Sequence, residues 1–353
     1  MSYDIITFGS AAQDIHVKSK AFKILKDPSA GSGQAETIFS TGEGICLALG
    51  SKIDVEDITY TTGGGGTNTA ATFAKQGFRT AFCGAIGVDV SGLEIVRELK
   101  HLRIDTRFVV KKKEKHTNHS VIISNTGEDR TILVYRGASD VLKKEDIKWN
   151  KIKNTKWIYL APLGTPKPNG EGGAGLFGDI VNFARERNIK IAVNPSKQQL
   201  SLPPEELKNI LSKVDILFLN QEEASFLTKI PFADEHKIFK KIDEICTGIA
   251  VMTKGGDGVV ASDGKYIYSA VPDPERKIVD TTGAGDSFAA GFLSDFIRYN
   301  GDIEKAIQLG LGNSEANLSQ VGAKTGLLEK NSKFVRVPVT KQLCTENNLC
   351  LPK

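Results

Sequence analysis

Short apolar segments recur at regular intervals along the chain and are separated by stretches with helical periodicity. The apolar runs of strand length are residues 3–9, 80–87, 157–161, 190–194, 216–219 and 249–253. The stretches between them, such as residues 91–99, repeat apolar side chains every three to four positions, which is typical of helices. This alternation predicts an α/β fold in which helices cover both faces of a central, mostly parallel sheet.

Two regions depart from this alternation. Residues 18–62 combine Gly-rich interruptions with apolar stretches, and residues 117–136 contain two runs of alternating polarity joined by a predicted turn at 125–128. Both regions predict a few strands outside the main sheet. Residues 162–175 are rich in Gly and Pro, which indicates a mobile surface loop.

Composition narrows the class of protein. The chain of 353 residues is long enough for a substantial core, and its length fits one large α/β domain with an appendage as well as two domains. Its hydrophobic content of 40% and charged content of 25% are typical of soluble globular proteins. The net charge of +4 is spread widely, with one short basic run at 111–115. This distribution does not predict the clustered basic face of a nucleic-acid-binding protein.

The cysteines bear on the cellular compartment. They are Cys46, Cys83, Cys246, Cys344 and Cys350. Their odd number and the lack of a Cys-x-x-Cys spacing argue against a disulfide framework or a structural zinc site. The chain enters an apolar segment at residues 5–8 without a basic leader, and no apolar run reaches transmembrane length. We therefore expect a cytoplasmic protein without a membrane partner.

The most informative stretch is 280–291, which reads Asp-Thr-Thr-Gly-Ala-Gly-Asp-Ser-Phe-Ala-Ala-Gly and leads into a predicted helix at 288–297. Unpaired N–H groups and the helix dipole at such a glycine-rich start favour an anion. The residues of this anion cradle are Gly283, Ala284 and Gly285. The carboxylate of Asp286 suits removal of a proton from a hydroxyl that attacks phosphorus. The alternative is that Asp286 and Ser287 only cap the helix.

The string Asp-Thr-Thr-Gly-Ala-Gly-Asp-Ser-Phe resembles the C-terminal signature of the ribokinase family, also called the PfkB carbohydrate kinases. The resemblance implies a single ribokinase-like domain over residues 1–328, with Asp286 as the catalytic base. It also implies that strands from 18–62 and 117–136 form a small β lid over the sugar, which in this family is often the homodimer contact. The tail at 329–353 has no predicted role.

The resemblance implies ATP and Mg²⁺ as cofactors. The sequence contains no Gly-x(4)-Gly-Lys-Ser/Thr motif, so a P-loop is excluded. Charge on the transferred phosphoryl group would then be met by the amides of residues 283–285, by magnesium and by Lys254.

The resemblance assigns four residues to the acceptor sugar, namely Asp14, Gly64, Gly65 and Asn68. Asp14 follows the first predicted strand, at the sheet edge where open α/β sheets bind ligands, although an ordinary turn residue would also fit there. The glycines allow a close backbone approach, and Asn68 either caps a predicted helix at 69–76 or contacts a hydroxyl. Gly65 stands where ribokinase has Lys, which departs from the ribose pattern.

The residues assigned to the nucleotide are Asn194, Asn220, Glu223, Thr253, Gly255 and Gly258. Asn220 and Glu223 resemble the family's Asn-x-x-Glu motif, in which the Glu organises magnesium through water. A capping box without a metal is the alternative. The segment 253–258 resembles the family's nucleotide segment, although a plain hairpin turn also fits. The runs 259–262 and 266–270 around Asp263-Gly264 predict a hairpin beside it, so both interpretations can hold together. Asp280 and the loop 322–326 match places where many relatives bind a monovalent cation, which implies K⁺.

Together these features predict an ATP-dependent carbohydrate kinase that phosphorylates a hydroxyl of a small sugar of the pentose or hexose class. A nucleoside kinase is the alternative within the class, since Phe22, Phe39 and Tyr60 lie in the lid region and could stack on a base. A regulatory protein that binds nucleotide or sugar without turnover is the alternative outside it.

Overall fold

The structure is a computed structural model, and it describes residues 2–26, 43–125, 130–163 and 175–344. The chain folds into two compact units. The first comprises Met1–Ala12, Thr62–Asn118 and Arg136–Lys353, and the second comprises Gln13–Thr61 and His119–Tyr135. The chain therefore passes between the units four times.

Sixteen strands lie within the described residues. In chain order they are β1 (Ile5–Phe8), β2 (Ala12–Lys18), β3 (Lys23–Lys26), β4 (Glu43–Cys46), β5 (Asp57–Gly63), β6 (Thr80–Gly87), β7 (Asp105–Lys112), β8 (Asn118–Ser124), β9 (Arg130–Tyr135), β10 (Trp157–Leu160), β11 (Lys190–Val193), β12 (Ile216–Asn220), β13 (Ile249–Thr253), β14 (Val259–Ser262), β15 (Tyr266–Ala270) and β16 (Thr340–Leu343).

Ten α-helices lie in the same ranges. In chain order they are α1 (Gly65–Lys75), α2 (Val90–His101), α3 (Trp149–Ile152), α4 (Gly175–Glu186), α5 (Lys197–Leu200), α6 (Pro204–Leu211), α7 (Gln221–Thr228), α8 (Glu235–Asp243), α9 (Ala284–Arg298) and α10 (Ile303–Leu318). Short 3₁₀ turns form at Ala138–Val141, Lys144–Asp146 and Gly255–Asp257.

The first unit is built on a ten-stranded sheet with the order β16-β15-β14-β13-β12-β11-β10-β1-β6-β7. The strands from β13 to β7 are parallel, and β14, β15 and β16 extend one edge in antiparallel pairing. The chain runs from β1 to β7 on one side and from β10 to β13 on the other, so the strand order reverses between β1 and β10. Ligands bind at the carboxyl ends of strands beside such a reversal. The predicted α/β class is confirmed.

Successive side chains of a strand point to opposite faces of the sheet, so each central strand contributes residues to two separate hydrophobic cores. On β10, Ile158 and Leu160 join the core that includes residues of α4, α6 and α8. The intervening Tyr159 joins the core that includes residues of α1, α9 and α10. Because the central strands are buried on both faces, their sequences are continuous apolar runs rather than alternating ones.

The tail, for which the sequence predicted no role, belongs to the first unit as far as it is described. Strand β16 pairs with β15 along four residues. The backbone of Val337 donates to Oε1 of Gln308 on α10 at 3.1 Å, and its carbonyl accepts from the same side chain. Residues 340–343 therefore complete one edge of the main sheet.

Two sheets form the second unit. One has four strands in the order β5-β2-β8-β9, and the other pairs β3 with β4. These strands occupy much of the two regions, 18–62 and 117–136, that the sequence assigned to a lid. Residues 126–129 and 164–174 lie outside the described residues, and with them lie most of the predicted turn at 125–128 and of the predicted loop at 162–175.

Two observations bear on the expected compartment. Within the described ranges, no helix is both long and apolar enough to cross a membrane. Cys46, Cys83 and Cys246 are free thiols, whereas Cys344 is in a disulfide. The sequence did not predict that disulfide.

Candidate active site

Helix α9 begins directly at the glycine loop. Gly283 is the N-cap residue, with φ 81° and ψ 2°, in the left-handed region that favours glycine. The helix begins at residue 284 rather than at the predicted 288, since its small first-turn residues carry no apolar periodicity. No side chain caps it. Asp286 is its third residue, and Ser287 Oγ donates to the carbonyl of Ala284 at 2.9 Å. The alternative in which these two residues only cap the helix is therefore wrong.

The mouth of this loop is open at Gly285. A Cβ atom built at Gly285 would meet no atom of the described residues within 4 Å. The first N–H groups of a helix have no acceptor inside it, and the N–H of Ala284 makes only a long contact of 3.4 Å to the carbonyl of Thr281. The loop thus presents backbone donors next to open space, which is the arrangement that holds an anion.

Asp286 lies where the strand order reverses. A Cβ atom built at Gly65, the first residue of α1, would lie 3.3 Å from Oδ1 of Asp286 and 3.1 Å from Cβ of Ala161. Pro162 is the next nearest group, at 3.4 Å. Ala161 and Pro162 follow β10 directly. The starts of α1 and α9 therefore meet the carboxyl end of β10 at the predicted ligand-binding edge.

Asn68 contacts the carboxylate of Asp286 directly. Its Nδ2 donates to Oδ2 of Asp286 at 2.8 Å. Helix α1 begins at Gly65, four residues earlier than predicted, because the glycines that suggested a loop form its first turn. Its N-cap is Gly64, without a side-chain cap bond, so Asn68 does not cap the helix. The side chain of Asn68 is instead buried inside the first unit and faces α9.

The glycines before α1 serve different purposes. Gly64 has φ 97°, and a Cβ atom there would lie 2.5 Å from the carbonyl oxygen of Ser10. At Gly66 a Cβ atom would lie 2.7 Å from the ring of Phe82. These two positions are glycine because the protein's own backbone and core leave no room, whereas Gly65 faces the carboxylate. Contact of Gly64 and Gly65 with an acceptor stays a prediction.

A buried amide on α10, Asn313, ties the two site helices together. Its Nδ2 donates to the carbonyl of Ser287 at 2.7 Å and lies 3.3 Å from Oγ1 of Thr72, one turn beyond Asn68 on α1. Its Oδ1 accepts from the N–H of Leu328 at 2.8 Å. Asn313 thereby fixes the residue after Asp286. Sequence reasoning missed it, since a single Asn in an amphipathic helix carries no motif.

Asn220 and Glu223 form the capping box that the sequence offered as an alternative. Oδ1 of Asn220 accepts from the N–H of Glu223 at 2.8 Å, and Oε2 of Glu223 accepts from the N–H of Asn220 at 2.9 Å. Burial raises the pKa of the Glu223 carboxyl. The Asn220 N–H and the Lys197 ammonium oppose that rise, whereas the charges of Glu222 and Asp286 add to it. The cap does not occupy the whole carboxylate, so a role toward magnesium stays a prediction.

Tyr159 lies fully buried beneath this group. Its ring is 5.7 Å from that of Phe73 and 6.2 Å from that of Phe218. Its hydroxyl has no hydrogen-bond partner among the residues that the structure describes. Burial raises the pKa of this phenol well above its usual value, and the charges of Asp286 and Glu223 raise it further. The sequence indicated only a core residue here, since a Tyr in an apolar strand is ordinary.

The remaining residues assigned to the nucleotide lie at the carboxyl ends of β11 and β13, the two strands that flank β12. Asn194, after β11, donates through Nδ2 to the carbonyl of Phe218 at 3.1 Å. Thr253 ends β13, and Gly255 begins the 3₁₀ turn that leads into β14. A Cβ atom at Gly258 would lie 2.1 Å from the carbonyl oxygen of Ala270, so that glycine is required by strand pairing. Both the turn and the predicted hairpin of β14 with β15 are present. Binding of ATP by these residues stays a prediction.

Lys254, expected to neutralise phosphate charge, already has a partner. Its Nζ donates to Oε2 of Glu235 on α8 at 2.8 Å. Within the described residues, no three His, Cys, Asp or Glu side chains cluster closely enough to hold a metal ion by themselves.

Asp280 ties the cradle to the loop 322–326. Its Oδ1 accepts from the N–H and the hydroxyl of Thr282 at 2.9 and 2.7 Å, and its Oδ2 accepts from the N–H of Gly322 at 2.9 Å. The amide of Asn317 donates to the carbonyls of Gly322 and Thr325, each at 3.0 Å. The carboxylate thus has a structural role, and binding of a monovalent cation stays a prediction.

Asp14, the remaining residue assigned to the acceptor, lies on β2 in the second unit and is buried. Its contact with a sugar stays a prediction. The structure thus brings Gly65, Asn68 and Asp286 together in the first unit.

The fold is that of solved sugar and nucleoside kinases. The structure superposes on the ribokinase of Arabidopsis thaliana, solved with ribose and ATP, with a TM-score of 0.73 at 20% identity, covering 94% of this chain and 97% of that one. A curated ribokinase from Staphylococcus aureus is 28% identical over 289 residues, which is 79% of this chain and 89% of that protein. A nucleoside kinase from Methanothermobacter thermautotrophicus is 27% identical over 237 residues, 67% and 72% of the two chains.

The class defined by this fold is therefore that of the ribokinase-like kinases. Residues 40–331 match the family model described as the pfkB family carbohydrate kinase. The chain belongs to that family, and it is an ATP-dependent carbohydrate kinase.

Proposed function

We propose that this kinase transfers the γ-phosphoryl group of ATP to a hydroxyl of a pentose or hexose, with Asp286 as the general base. The observation that carries this proposal is the position of Asp286. Its carboxylate lies one residue beyond the open mouth at Gly285 and beside Gly65, where the strand order reverses. A hydroxyl bound there would lose its proton to the carboxylate as its oxygen attacks the γ-phosphorus.

The amides of Gly283, Ala284 and Gly285 are proposed to stabilise negative charge on the transferred group. Such preorganised backbone donors act most strongly where water is excluded. With Lys254 bound to Glu235, the amides carry a larger share of this stabilisation than the sequence suggested.

Mg²⁺ is proposed to bind with the nucleotide near Asn220 and Glu223. The donor set fits a hydrated ion, because Mg²⁺ keeps several waters and commonly uses only one or two carboxylates together with phosphates. One oxygen of Glu223 is held by the cap, and burial raises the pKa of this carboxyl, to which the negative charges of Glu222 and Asp286 add. The bound ion would supply charge neutralisation for the phosphates.

Binding of K⁺ beside Asp280 is also part of the proposal. Activity measured in K⁺ salts and in tetramethylammonium salts tests it.

A nucleoside acceptor is the second candidate, favoured by the similarity to the nucleoside kinase at 27% identity. A nucleobase needs an exposed aromatic face to stack on. Of the residues considered for this role, Phe22 is buried, whereas Tyr60 is 63% exposed. Phe39 lies outside the described residues. Tyr60 is therefore the candidate stacking residue of the second unit.

Assembly as a homodimer through the second unit is proposed from its exposed apolar side chains. These are Ile58, Tyr60, Ile132, Leu133, Val134 and Tyr135. Such patches mark interaction surfaces when they are contiguous. Light scattering of the purified protein tests the dimer.

For the compartment we propose the cytoplasm. The free thiols fit a reducing compartment, whereas the disulfide at Cys344 fits an oxidising one. Cell fractionation shows in which compartment the protein is found.

The experiment that tests the function is a coupled assay of ADP release with pentoses, hexoses, their phosphates and nucleosides. Sugar-dependent turnover that Asp286→Asn abolishes, with ATP binding retained, supports the proposal. Turnover only with nucleosides supports the second candidate. Substantial turnover by Asp286→Asn removes this residue as the base.

A further inference from the structure

The amide of Asn68 and the carboxylate of Asp286 form a side-chain contact between the first turns of two helices. Nδ2 of Asn68 and Oδ2 of Asp286 are 2.8 Å apart. The orientation of the amide is fixed by chemistry, because its oxygen would repel a carboxylate at this distance. The donor must therefore face Asp286.

Within the described residues, the contact with Asp286 is the one side-chain hydrogen bond of Asn68. It does not cap α1, since Gly64 is the N-cap. Its side chain is 5% exposed, and its Oδ1 has no hydrogen-bond partner within the part of the chain that the structure describes. A buried amide oxygen without a partner costs about 1–3 kcal/mol, so a residue kept in this state needs a compensating role.

The two oxygens of Asp286 have different surroundings. Oδ2 accepts from Asn68, whereas Oδ1 lies on the side of Gly65, where a Cβ atom would come within 3.3 Å of it. The backbone of Gly65 therefore packs close to Oδ1, whereas Oδ2 is held by the amide of Asn68. The two oxygens are therefore distinguished before any substrate binds.

We propose that Asn68 is a positioning residue for the catalytic base: it holds Oδ2 of Asp286 so that Oδ1 receives the proton of the acceptor hydroxyl. This inference rests on the proposed function of Asp286. In the step itself, the acceptor O–H bond breaks and its proton moves to Oδ1. The oxygen forms a bond to the γ-phosphorus, and the bond from that phosphorus to the bridging oxygen breaks, which releases ADP.

A donor to Oδ2 affects the reaction in two ways. It fixes the rotation of the carboxylate, and it stabilises the anion against protonation, because a hydrogen bond to the charged form favours that form. Among the residues that the structure describes, the charge of Asp286 raises the pKa of Glu223 and that of Tyr159, and both are acids. Neither group carries a positive charge, so neither stabilises the Asp286 carboxylate as a cation would. Asn68 is then the neutral donor that keeps the base ready for its proton.

The test compares Asn68→Asp and Asn68→Ala with the native enzyme over a range of pH, using the best acceptor from the ADP-release assay. Asn68→Asp has the same shape but places two carboxylates in contact, and such pairs share a proton. We expect the acid limb of its kcat profile to move to higher pH by about 1 unit or more. Activity near neutral pH should fall roughly 10-fold or more and recover as the pH rises.

Asn68→Ala keeps a residue that favours helix, so it tests the inference even if the Asp variant folds poorly. We expect kcat to fall about 10- to 100-fold, with the acid limb again displaced upward. Asn182→Asp, on the outer surface of α4, controls for the added charge and should leave the profile unchanged. Circular dichroism and ATP binding verify that each variant is folded.

Two results would overturn the inference. The first is a raised acceptor KM with native kcat and a native acid limb, which would make Asn68 an acceptor contact only. The second is native behaviour in both Asn68 variants. Failure of the proposed function is seen separately, because Asp286→Asn would then retain turnover whatever the Asn68 variants do.

Discussion

Gly283 lies directly against Ala323, so that a Cβ atom built at position 283 would be 2.5 Å from the Cβ of Ala323. Two residues later, at Gly285, the same construction meets no described atom within 4 Å. Both glycines belong to one sequence motif. One is needed by the fold, and the other leaves space for a ligand.

We therefore predict opposite effects for two alanine substitutions. Gly283→Ala should lower the free energy of unfolding by about 2 kcal/mol or more, through its positive φ and its clash with Ala323. Gly285→Ala should leave that free energy unchanged or raise it by up to about 1 kcal/mol, since Ala favours helix. Its kcat/KM for ATP should nevertheless fall on the order of 100-fold. Denaturant titration and steady-state kinetics check both. A fully active Gly285→Ala would remove the cradle from the mechanism.

Glu223→Gln should separate stability from activity. Gln preserves the capping box with Asn220, because a capping box can have either Glu or Gln at its third helical position. The folded-state pKa of Glu223 is raised, so the native carboxylate opposes folding once it ionises. The metal-free native protein should lose stability as pH rises from the unfolded-state pKa to the folded-state pKa. Glu223→Gln should lack that loss and show a higher Tm in EDTA at neutral pH.

The same variant should bind Mg²⁺·ATP more weakly, with kcat/KM lower by about 10- to 100-fold. Lys197→Gln serves as a comparison, because it removes a nearby positive charge without touching the cap. Equal Mg²⁺ dependence in Glu223→Gln and the native enzyme would contradict a role of this residue toward the metal.

Asn313→Ala should destabilise the first unit. The substitution removes the buried hydrogen bond to the carbonyl of Ser287 and leaves the partly buried N–H of Leu328 without its acceptor. The free energy of unfolding should fall by about 2–4 kcal/mol, measured by urea titration. Activity should fall at temperatures where the protein is still folded, because α1 and α9 lose a shared anchor. Ser314→Ala, on the next residue of α10, provides a milder control.

The lowered pKa of Asp4, far from the site, predicts that the free energy of unfolding falls in acid. Partial burial acts to raise its pKa, but hydrogen bonds from Arg79 and Lys156 outweigh it and lower that pKa to about 2. Because the folded-state value is depressed, the stabilisation is complete above the unfolded-state pKa and is lost as pH falls toward about 2. Asp4→Asn should cost about 1 kcal/mol at pH 7 and progressively less in acid, because solvent screens an ion pair whose cationic partners are largely exposed. Unfolding curves at pH 7 and pH 3 test this, and kcat should be unaffected.

Local patterns determined much of the fold. Because a strand buried on both faces must be apolar along its length, the central parallel strands were visible as short apolar runs, with bounds within one or two residues. The hairpin of β14 and β15 was equally visible, since Asp263-Gly264 has the chemistry of a tight turn. The glycine-rich start of α9 likewise identified the cradle and Asp286, because the backbone conformation of this loop depends on only a few consecutive residues.

The relations between distant segments were decided only by the tertiary structure. Asn68 and Asp286 are 218 positions apart, and their contact depends on where packing places α1 against α9. Tyr159 and Asn313 carry no local signature, since their importance arises from neighbours supplied by other strands and helices. The distinct roles of Gly283 and Gly285 likewise depend on Ala323. The local sequence determines the conformation of a turn or a helix start. Burial and contacts between segments distant in sequence arise only when the whole chain packs.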